Sequence, residues 1–387
     1  MITKGKLTET WQEVGGFCRE KKKWLIAAGI GLIVLLTGYF IFSSRHTYTA
    51  VSVVKEYEKS GADNYSYAGF ADGVIRYSRD GVMYLDQDGQ ELWNQPAQLQ
   101  NPKLTEGKES FVIADGGGNA VMIFDEKGLK GEFSTVLPIE RAAVSKQGIV
   151  AAILKNDTTP KVVVYDTAGN VLAEIQTTVQ KTGYPVALAL SDDANLLGVS
   201  YLTTEGSAVK TRMVYYNFGT VGQGKKDNLV TQDEYEGTVA PVVFFSGNDT
   251  AVMIRDAGFT VYEGKQVPEA TVKITLDKEI KSTFHSAECV GFVLRNTGKR
   301  GYELRVYNLK GKQVMSADFQ GDYGSVKLAG DEIIMLEGTR GCIYTLHGTV
   351  RFKGDLEMDT AEMIPVNGRH RYLLLSSGLM RKVRLVK

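Results

Sequence analysis

The side chains that could bind a metal or perform catalysis are few and widely spaced in this 387-residue sequence. The four histidines are His46, His285, His347 and His370, and no two of them stand at a metal-ligand spacing. A zinc site would therefore need distant strands to converge, and we expect none. The sequence also lacks a Gly-x-Ser-x-Gly elbow and a recognisable Ser/His/Asp set.

Two glycine-containing segments resemble ligand loops. Asp86–Gly89 has the carboxylate spacing of a fragment of a Ca²⁺ loop but lacks the further oxygen ligands that such a site needs. Asp115–Asn119 is a glycine-rich run between two apolar segments, and no helix follows it to present its N-terminus to a phosphate. Both segments are therefore predicted to be tight turns of hairpins.

The positions of the cysteines in the sequence indicate a structural role rather than a catalytic one. Cys18 lies in the basic N-terminal segment, whereas Cys289 and Cys342 lie inside apolar, strand-like runs. We expect the latter two to be buried free thiols, with a single disulfide between them as the alternative.

The distribution of charge argues against a nucleic-acid partner. The chain has 45 basic and 45 acidic residues, and 43% of its residues are hydrophobic, which is typical of a globular protein. Residues 1–45 contain seven basic and three acidic residues, which leaves 38 basic and 42 acidic residues in the remainder. A phosphate-binding domain is normally clearly basic, so no nucleic acid is expected as a partner.

The segment 24–42 is an uncharged run of 19 residues. As a helix it would span about 28 Å, close to the thickness of the hydrocarbon core of a membrane. Arg19 and the triplet Lys21–Lys23 precede it, which by the positive-inside rule places residues 1–23 in the cytoplasm. The prediction is a cytoplasmic tail (1–23), a transmembrane helix (24–42), a short linker (43–48) and an extracytoplasmic domain (49–387). A cleaved signal peptide is the alternative, although its apolar region is normally shorter.

The region beyond residue 48 contains a repeated pattern of short apolar runs separated by polar turns. The recurring unit is a β-branched run, an aromatic residue and a turn with glycine, as in Val82–Gly89 and Val121–Gly128. Eight positions mark the repeats at intervals of 37 to 51 residues: Tyr84, Phe124, Tyr165, Tyr216, Tyr262, Tyr307, Tyr344 and Val383. This period predicts an all-β propeller of eight four-stranded blades, with seven blades as the alternative if two weak copies share one blade.

The ends of the chain predict how the ring closes. The last repeat stops after its third strand near Val386, and Thr49–Tyr57 is a spare strand before the first repeat. Pairing the two would complete the last blade and remove two exposed edges.

The repeat motif and the layout resemble known proteins. Asp86–Trp93 (DQDGQELW) is similar to the repeats of quinoprotein-type and WD40-type propellers. A basic tail, one apolar helix and a propeller together resemble an uncharacterised bacterial family of single-pass, membrane-anchored propellers. Quinoprotein dehydrogenases use a vicinal cysteine pair and a girdle of tryptophans, whereas here no two cysteines are adjacent and Trp93 is the only tryptophan beyond residue 24. No cofactor is therefore expected.

Propeller geometry predicts a basic rim on one face. The first strand of the domain would start on the face towards the membrane, so the opposite face would point outwards. The ends of the second strands on that outward face carry basic residues: Arg79, Lys155, Arg255, Arg295, Lys299, Arg300 and Arg340. They form a candidate anion-binding rim, and a solvated surface interspersed with acidic residues is the alternative. The polar stretch 219–237 is predicted to be the longest insert between strands and is a second candidate for partner contact.

These features favour a non-enzymatic binding or scaffolding module of the cell envelope, anchored in the cell membrane. Its partner would be an envelope protein or an anionic wall polymer. One alternative is a hydrolase or lactonase with a metal-assisted site in the central channel, which would require carboxylates or amides of the inner strands to converge. A ligand sensor is another alternative.

Overall fold

The computed structural model describes residues 26, 29–32, 47–57, 65–206, 208–376 and 379–387. Within these ranges the chain forms 32 strands in eight four-stranded antiparallel sheets. Each sheet is one blade of an all-β propeller, so the prediction of eight blades is confirmed and the alternative of seven is wrong.

The strands of each blade run from the central channel to the outside of the ring. The first, innermost strands are β2 (Ser66–Phe70), β6 (Pro102–Glu106), β10 (Ile139–Val144), β14 (Tyr184–Leu190), β18 (Val242–Ser246), β22 (Ile280–His285), β26 (Ser325–Ala329) and β30 (Glu362–Pro365). The second strands are β3 (Gly73–Ser78), β7 (Phe111–Asp115), β11 (Val150–Leu154), β15 (Leu196–Glu205), β19 (Thr250–Arg255), β23 (Cys289–Arg295), β27 (Glu332–Glu337) and β31 (Arg371–Leu375).

The outer half of each blade contains the repeat markers. The third strands are β4 (Gly81–Leu85), β8 (Ala120–Asp125), β12 (Lys161–Tyr165), β16 (Ala208–Asn217), β20 (Gly258–Glu263), β24 (Tyr302–Asn308), β28 (Arg340–Thr345) and β32 (Met380–Val386). The outer strands are β5 (Glu91–Pro96), β9 (Gly128–Ser134), β13 (Val171–Gln176), β17 (Leu229–Glu236), β21 (Glu269–Thr275), β25 (Gln313–Phe319), β29 (Val350–Asp355) and β1 (Ala50–Tyr57).

The core lies between the blades, which explains why some strands are apolar at every position. All five residues of β11 are completely buried. They pack on both sides, with Val150 and Ala152 against the second blade and Ala151 and Ile153 against the fourth. A sheet that is covered on both faces gains from apolar side chains along its whole length rather than at alternate positions.

The two glycine-containing segments are hairpin turns, as predicted. Asp86 Oδ1 accepts hydrogen bonds from the backbone N–H groups of Asp88 and Gln90, both at 2.8 Å. The turn that begins at Asp115 joins β7 to β8, and the buried Asp115 carboxylate accepts the backbone N–H of Asn101 at 2.7 Å. A Cβ at Gly118 would lie 2.3 Å from Asp115 Oδ2, so glycine is required there.

The first strand completes the last blade, as the chain ends predicted. β1 pairs with β32 in antiparallel register, with Ala50 opposite Val386 and Val53 opposite Val383. We call the face that contains the turns between first and second strands, and between third and outer strands, the lower face. The opposite face is the upper face. β1 begins at the lower face, where the backbone N–H of Tyr48 donates to Arg351 O at 2.8 Å.

The predicted transmembrane segment 24–42 lies largely outside the described residues. In the ranges that the structure does describe, no helix has both the length and the apolar character needed to cross a bilayer. The anchor therefore stays a prediction.

The interpretation of residues 219–237 as one long insert was wrong. A short helix (Thr220–Gln223) and a 3₁₀ turn (Lys226–Asn228) are followed by Leu229–Glu236, which is the outer strand β17. Its alternating exposed residues, typical of an outer strand, were mistaken for a polar loop.

Both cysteines of the propeller are buried and free, which confirms the prediction and excludes a disulfide between them. Burial raises the pKa of the Cys342 thiol to about 11, so it stays protonated and unreactive at neutral pH.

Candidate functional site

The upper face carries all seven residues of the predicted basic rim. Each lies at or next to a connection between the second and third strands of a blade. Six are exposed: Arg79, Lys155, Arg295, Lys299, Arg300 and Arg340. These six residues come from four blades, and three of them belong to the single connection of the sixth blade.

Arg255 differs from the expectation, because it is only 5% exposed. Its strand continues into β20 through a two-residue turn, and the guanidinium folds back over the ring of Tyr235 at 5.2 Å from its centroid. One nitrogen donates to Ile274 O at 3.3 Å, and desolvation lowers the pKa of the group. Arg255 therefore packs within the propeller rather than on its surface, and the sequence pattern could not distinguish it from its exposed neighbours.

The sixth blade brings three of the rim residues into one pocket. Arg295, Lys299 and Arg300 line a cavity of 460 Å³ together with Tyr302 and Asp322. The loop 296–301, which joins β23 to β24, contributes Asn296, Lys299, Arg300 and Gly301 to the lining of this cavity. This basic pocket, as we call it, is the largest concentration of the predicted rim residues.

The charges of the basic pocket are partly balanced. Arg295 lies 3.3 Å from Glu279, and Lys299 lies 2.5 Å from Asp318. Arg300 has no ion pair with any residue that the structure describes. Because these contacts are exposed, each contributes little to stability, and an incoming anion can compete for the cations.

The hydroxyl of Tyr302 lies at the edge of the basic pocket and already has an acceptor. It donates to Asp322 Oδ1 at 2.8 Å, and this hydrogen bond raises the pKa of Tyr302. The three cations around this open cavity can bind an anionic group, and the raised pKa of Tyr302 keeps its hydroxyl protonated rather than activated as a nucleophile.

The central channel contains a charged cluster that the sequence analysis missed. Glu362 of β30 accepts a hydrogen bond from Lys327 of β26, and Glu106 of β6 lies within electrostatic range of both. Glu106 has solvent-accessible surface but stands inside the channel, where the surrounding protein displaces bulk water. Desolvation there raises the pKa of Glu106 and of Glu362, while Lys327 opposes the shift. Assigning the inner strands in the sequence would have placed these residues at the channel.

This cluster predicts a pH dependence of stability. A carboxyl whose pKa is higher in the folded than in the unfolded state leaves the folded state with more bound protons, so stability falls as the pH rises. We expect Glu106→Gln, which cannot ionise, to lose less stability than the wild type as the pH is raised from about 4.5 to neutrality, measured by urea unfolding. Glu91→Gln, on an exposed outer strand, serves as the control. Equal pH slopes for wild type and Glu106→Gln would contradict the prediction.

The histidines, cysteines and carboxylates of the described residues form no group of three or more that could hold a metal ion. His285, an exposed residue at the lower end of β22, instead stacks on Phe244 with ring centroids 4.0 Å apart. Desolvation lowers the pKa of His285, so its ring is neutral at neutral pH.

Comparison with solved structures yields remote similarity. BamB from Moraxella catarrhalis aligns with a TM-score of 0.49 and 13% identity, covering 87% of this chain and 100% of that chain. The crystal structure of a eukaryotic initiation factor aligns with a TM-score of 0.49 and 12% identity, covering 85% and 84%. Neither similarity is strong enough to support a functional conclusion.

Comparison with sequences identifies a family. No curated protein sequence matches the chain. Residues 44–385 match a family described as a family of unknown function, DUF5711. This agrees with the expected resemblance to an uncharacterised propeller family, whereas membrane anchoring is not part of the match. Because the match covers almost the whole sequence, the chain is a member of the DUF5711 family.

Proposed function

We propose that this protein is a membrane-anchored, extracytoplasmic propeller that binds a partner of the cell envelope on its upper face. The observation that carries the proposal is the basic pocket of the sixth blade, where Arg295, Lys299 and Arg300 surround an open cavity of 460 Å³. Cations around a cavity attract an anionic group. The partner is an acidic region of an envelope protein, or an anionic wall polymer.

The position of the chain entry supports this orientation. Thr47 Oγ1 donates to Val350 O at 2.9 Å, and Tyr48 pairs with Phe352 at the lower end of β29. The uncharged run 24–42 ends only five positions before Thr47 in the sequence. Five residues span at most about 17 Å. A bilayer that holds this run would lie next to the lower face and leave the upper face free.

The binding function is better supported than the enzymatic alternative. Glu106 and Glu362 do converge with Lys327 on the channel, as a hydrolase site would require. However, the described residues provide no set of ligands for the metal that this mechanism needs. The Lys327 contact also engages Glu362 rather than leaving it as a free base.

Crosslinking in intact cells tests the proposal. A membrane-impermeant crosslinker is applied to cells that express either the wild type or Arg295→Glu/Lys299→Glu/Arg300→Glu, and the adducts are identified by mass spectrometry. We expect a partner that the wild type captures and that the variant captures about tenfold less, because charge reversal replaces attraction by repulsion.

The control reverses three exposed lysines of the lower face, in Lys265→Glu/Lys310→Glu/Lys312→Glu. It changes the net charge by the same amount and should leave capture intact. Capture that is equal in both variants would exclude the basic pocket as the binding site. Capture that needs a membrane-permeant reagent would show that the proposed location is wrong.

A further inference from the structure

The upper half of the central channel contains a second cavity, separate from the basic pocket. It has a volume of 510 Å³ and lies between the inner strands β6, β10, β14 and β18. This is within the usual range for a site that binds a small molecule or a short segment of a partner. We call it the channel pocket. It opens at the upper face, because its lining includes Gly116 in the turn after β7 and the first residues of β10 and β18.

The wall of the channel pocket is mainly apolar. Its apolar lining comes from four successive blades: Leu104, Ala142 and Val242 are partly exposed, whereas Ile139, Ala187, Leu188 and Val243 belong to the buried core between the blades. The hydrophobic surface that Leu104, Ala142 and Val242 leave in contact with water makes it favourable to cover this part of the wall with an apolar group.

Two cations lie in the channel pocket without a counter-ion. Lys103 and Arg141 both line it, and neither forms an ion pair or a side-chain hydrogen bond with any residue in the described part of the chain. Other basic residues of the inner strands are paired, since Lys327 contacts Glu362 and Lys281 lies 2.7 Å from Glu279. The unpaired state of Lys103 and Arg141 is therefore particular to this pocket.

The one carboxylate that lines the channel pocket is already engaged. Glu140 accepts a hydrogen bond from the hydroxyl of Tyr184 on the neighbouring blade. Desolvation and that bond raise the pKa of Tyr184 to about 12, so the hydroxyl keeps its proton and remains the donor. The three charged residues of the lining leave the pocket with a net positive charge.

Two of the inner strands that line the channel pocket contain a β-bulge. A bulge interrupts the pairing of β10 with β11 between Ile139 and Arg141, and another interrupts β14 with β15 between Pro185 and Ala187. A bulge redirects the side chains beside it, and bulges are common next to binding sites. Each inner strand is also the edge of its sheet, so one side of its backbone has no partner strand.

We propose that the channel pocket binds the C-terminal end of a polypeptide partner, with its last apolar side chain against the wall and its terminal carboxylate between Lys103 and Arg141. A carboxylate matches the two cations, an apolar side chain matches the wall, and the free edges of the inner strands can pair with an extended backbone. The opening on the upper face is where a partner held at the basic pocket would supply such a tail. The inference rests on the proposed function in that the partner is a protein.

Binding of defined peptides to the purified full-length chain tests this inference. The probe is a pool of octapeptides with four randomised C-terminal positions, prepared once with a free terminal carboxylate and once as the carboxamide. We expect enrichment of peptides with an apolar last residue from the carboxylate pool only. For an enriched peptide, Lys103→Met and Arg141→Met should each weaken binding about tenfold, because each removes a charge-assisted contact.

Lys127→Met is the matched control, because Lys127 is an exposed lysine on the lower face, and it should leave the affinity unchanged. The inference is wrong if the carboxamide pool is enriched equally, if neither pool is enriched, or if Lys103→Met and Arg141→Met bind as the wild type does. It is also wrong if no peptide binds and octanoate binds instead with the same dependence on both cations, which would indicate a lipid-like anion. The variant Arg295→Glu/Lys299→Glu/Arg300→Glu distinguishes this inference from the proposed function. If it loses crosslinking but still binds the peptide, the channel pocket binds peptides independently of the basic pocket.

Discussion

Val383→Asp is expected to destabilise the propeller by about 4 kcal/mol or more, because it places an unpaired charge in the core of the last blade. Val383 is completely buried. It packs in the apolar cluster that joins the seventh and eighth blades and includes Phe352, Tyr372 and Leu385. The ring closes through this blade, so we expect the loss to open the closure rather than to remain local. Urea unfolding followed by circular dichroism measures the effect.

The chain offers a closely matched control for this prediction. Val53 stands directly opposite Val383 in the pairing of β1 with β32, but it is 41% exposed. Val53→Asp makes the same chemical change in the same blade and should cost less than about 1 kcal/mol. Similar losses in both variants would mean that burial in the last blade does not determine the stability of the ring.

The second large effect is expected at Glu332, which is a buried acid between the seventh and eighth blades. It is 4% exposed, forms an ion pair with Arg351 of β29, and accepts the hydroxyl of Tyr372 of β31 at 2.7 Å. Glu332→Ala leaves the guanidinium of Arg351, which is 26% exposed, without its partner and should lower the free energy of unfolding by about 2–3 kcal/mol.

Two further variants show whether the loss of stability in Glu332→Ala arises from the unpaired charge of Arg351 or from the lost hydrogen bond of Tyr372. Tyr372→Phe removes only the hydroxyl and should cost about 1 kcal/mol. The double variant Glu332→Leu/Arg351→Met replaces the pair by apolar groups and should recover most of the loss, because no buried charge is then left unpaired. If the double variant is as unstable as Glu332→Ala, the cost arises from packing rather than from the unpaired cation. Urea unfolding of all three variants provides the comparison.

The architecture could be predicted from the sequence because a propeller repeats its signals. The apolar third strands end in an aromatic residue and a polar turn, and this pattern recurs often enough that the weak copies can be placed between the strong ones. The sequence between Gly148 and Leu154 is apolar throughout, as a strand covered on both faces favours, and Val150–Leu154 lies between two neighbouring blades in the structure. The prediction of a long insert at 219–237 was wrong because an outer strand with alternating polar residues resembles a loop when its neighbouring strands are not known.

The candidate sites could be predicted only in part. The position of each rim residue at or next to a connection between second and third strands follows from the repeat. Burial does not follow from it, since Arg255 turns inward over Tyr235 while Arg295 stays exposed. The channel residues Lys103, Glu106, Arg141, Lys327 and Glu362 come from separate inner strands, so their convergence depends on ring geometry that no local pattern encodes.

The pairing of the first strand with the last has a mechanical consequence. β1 runs from the lower to the upper face, so a tension applied to the chain ahead of Ala50, against a partner held on the upper face, acts along the strand. The hydrogen bonds that join β1 to β32 between Ala50 and Tyr57 are then loaded together in shear. They do not break one after another. Under such a tension, the strand that completes the ring would also transmit the force between the chain ahead of Ala50 and the rest of the protein.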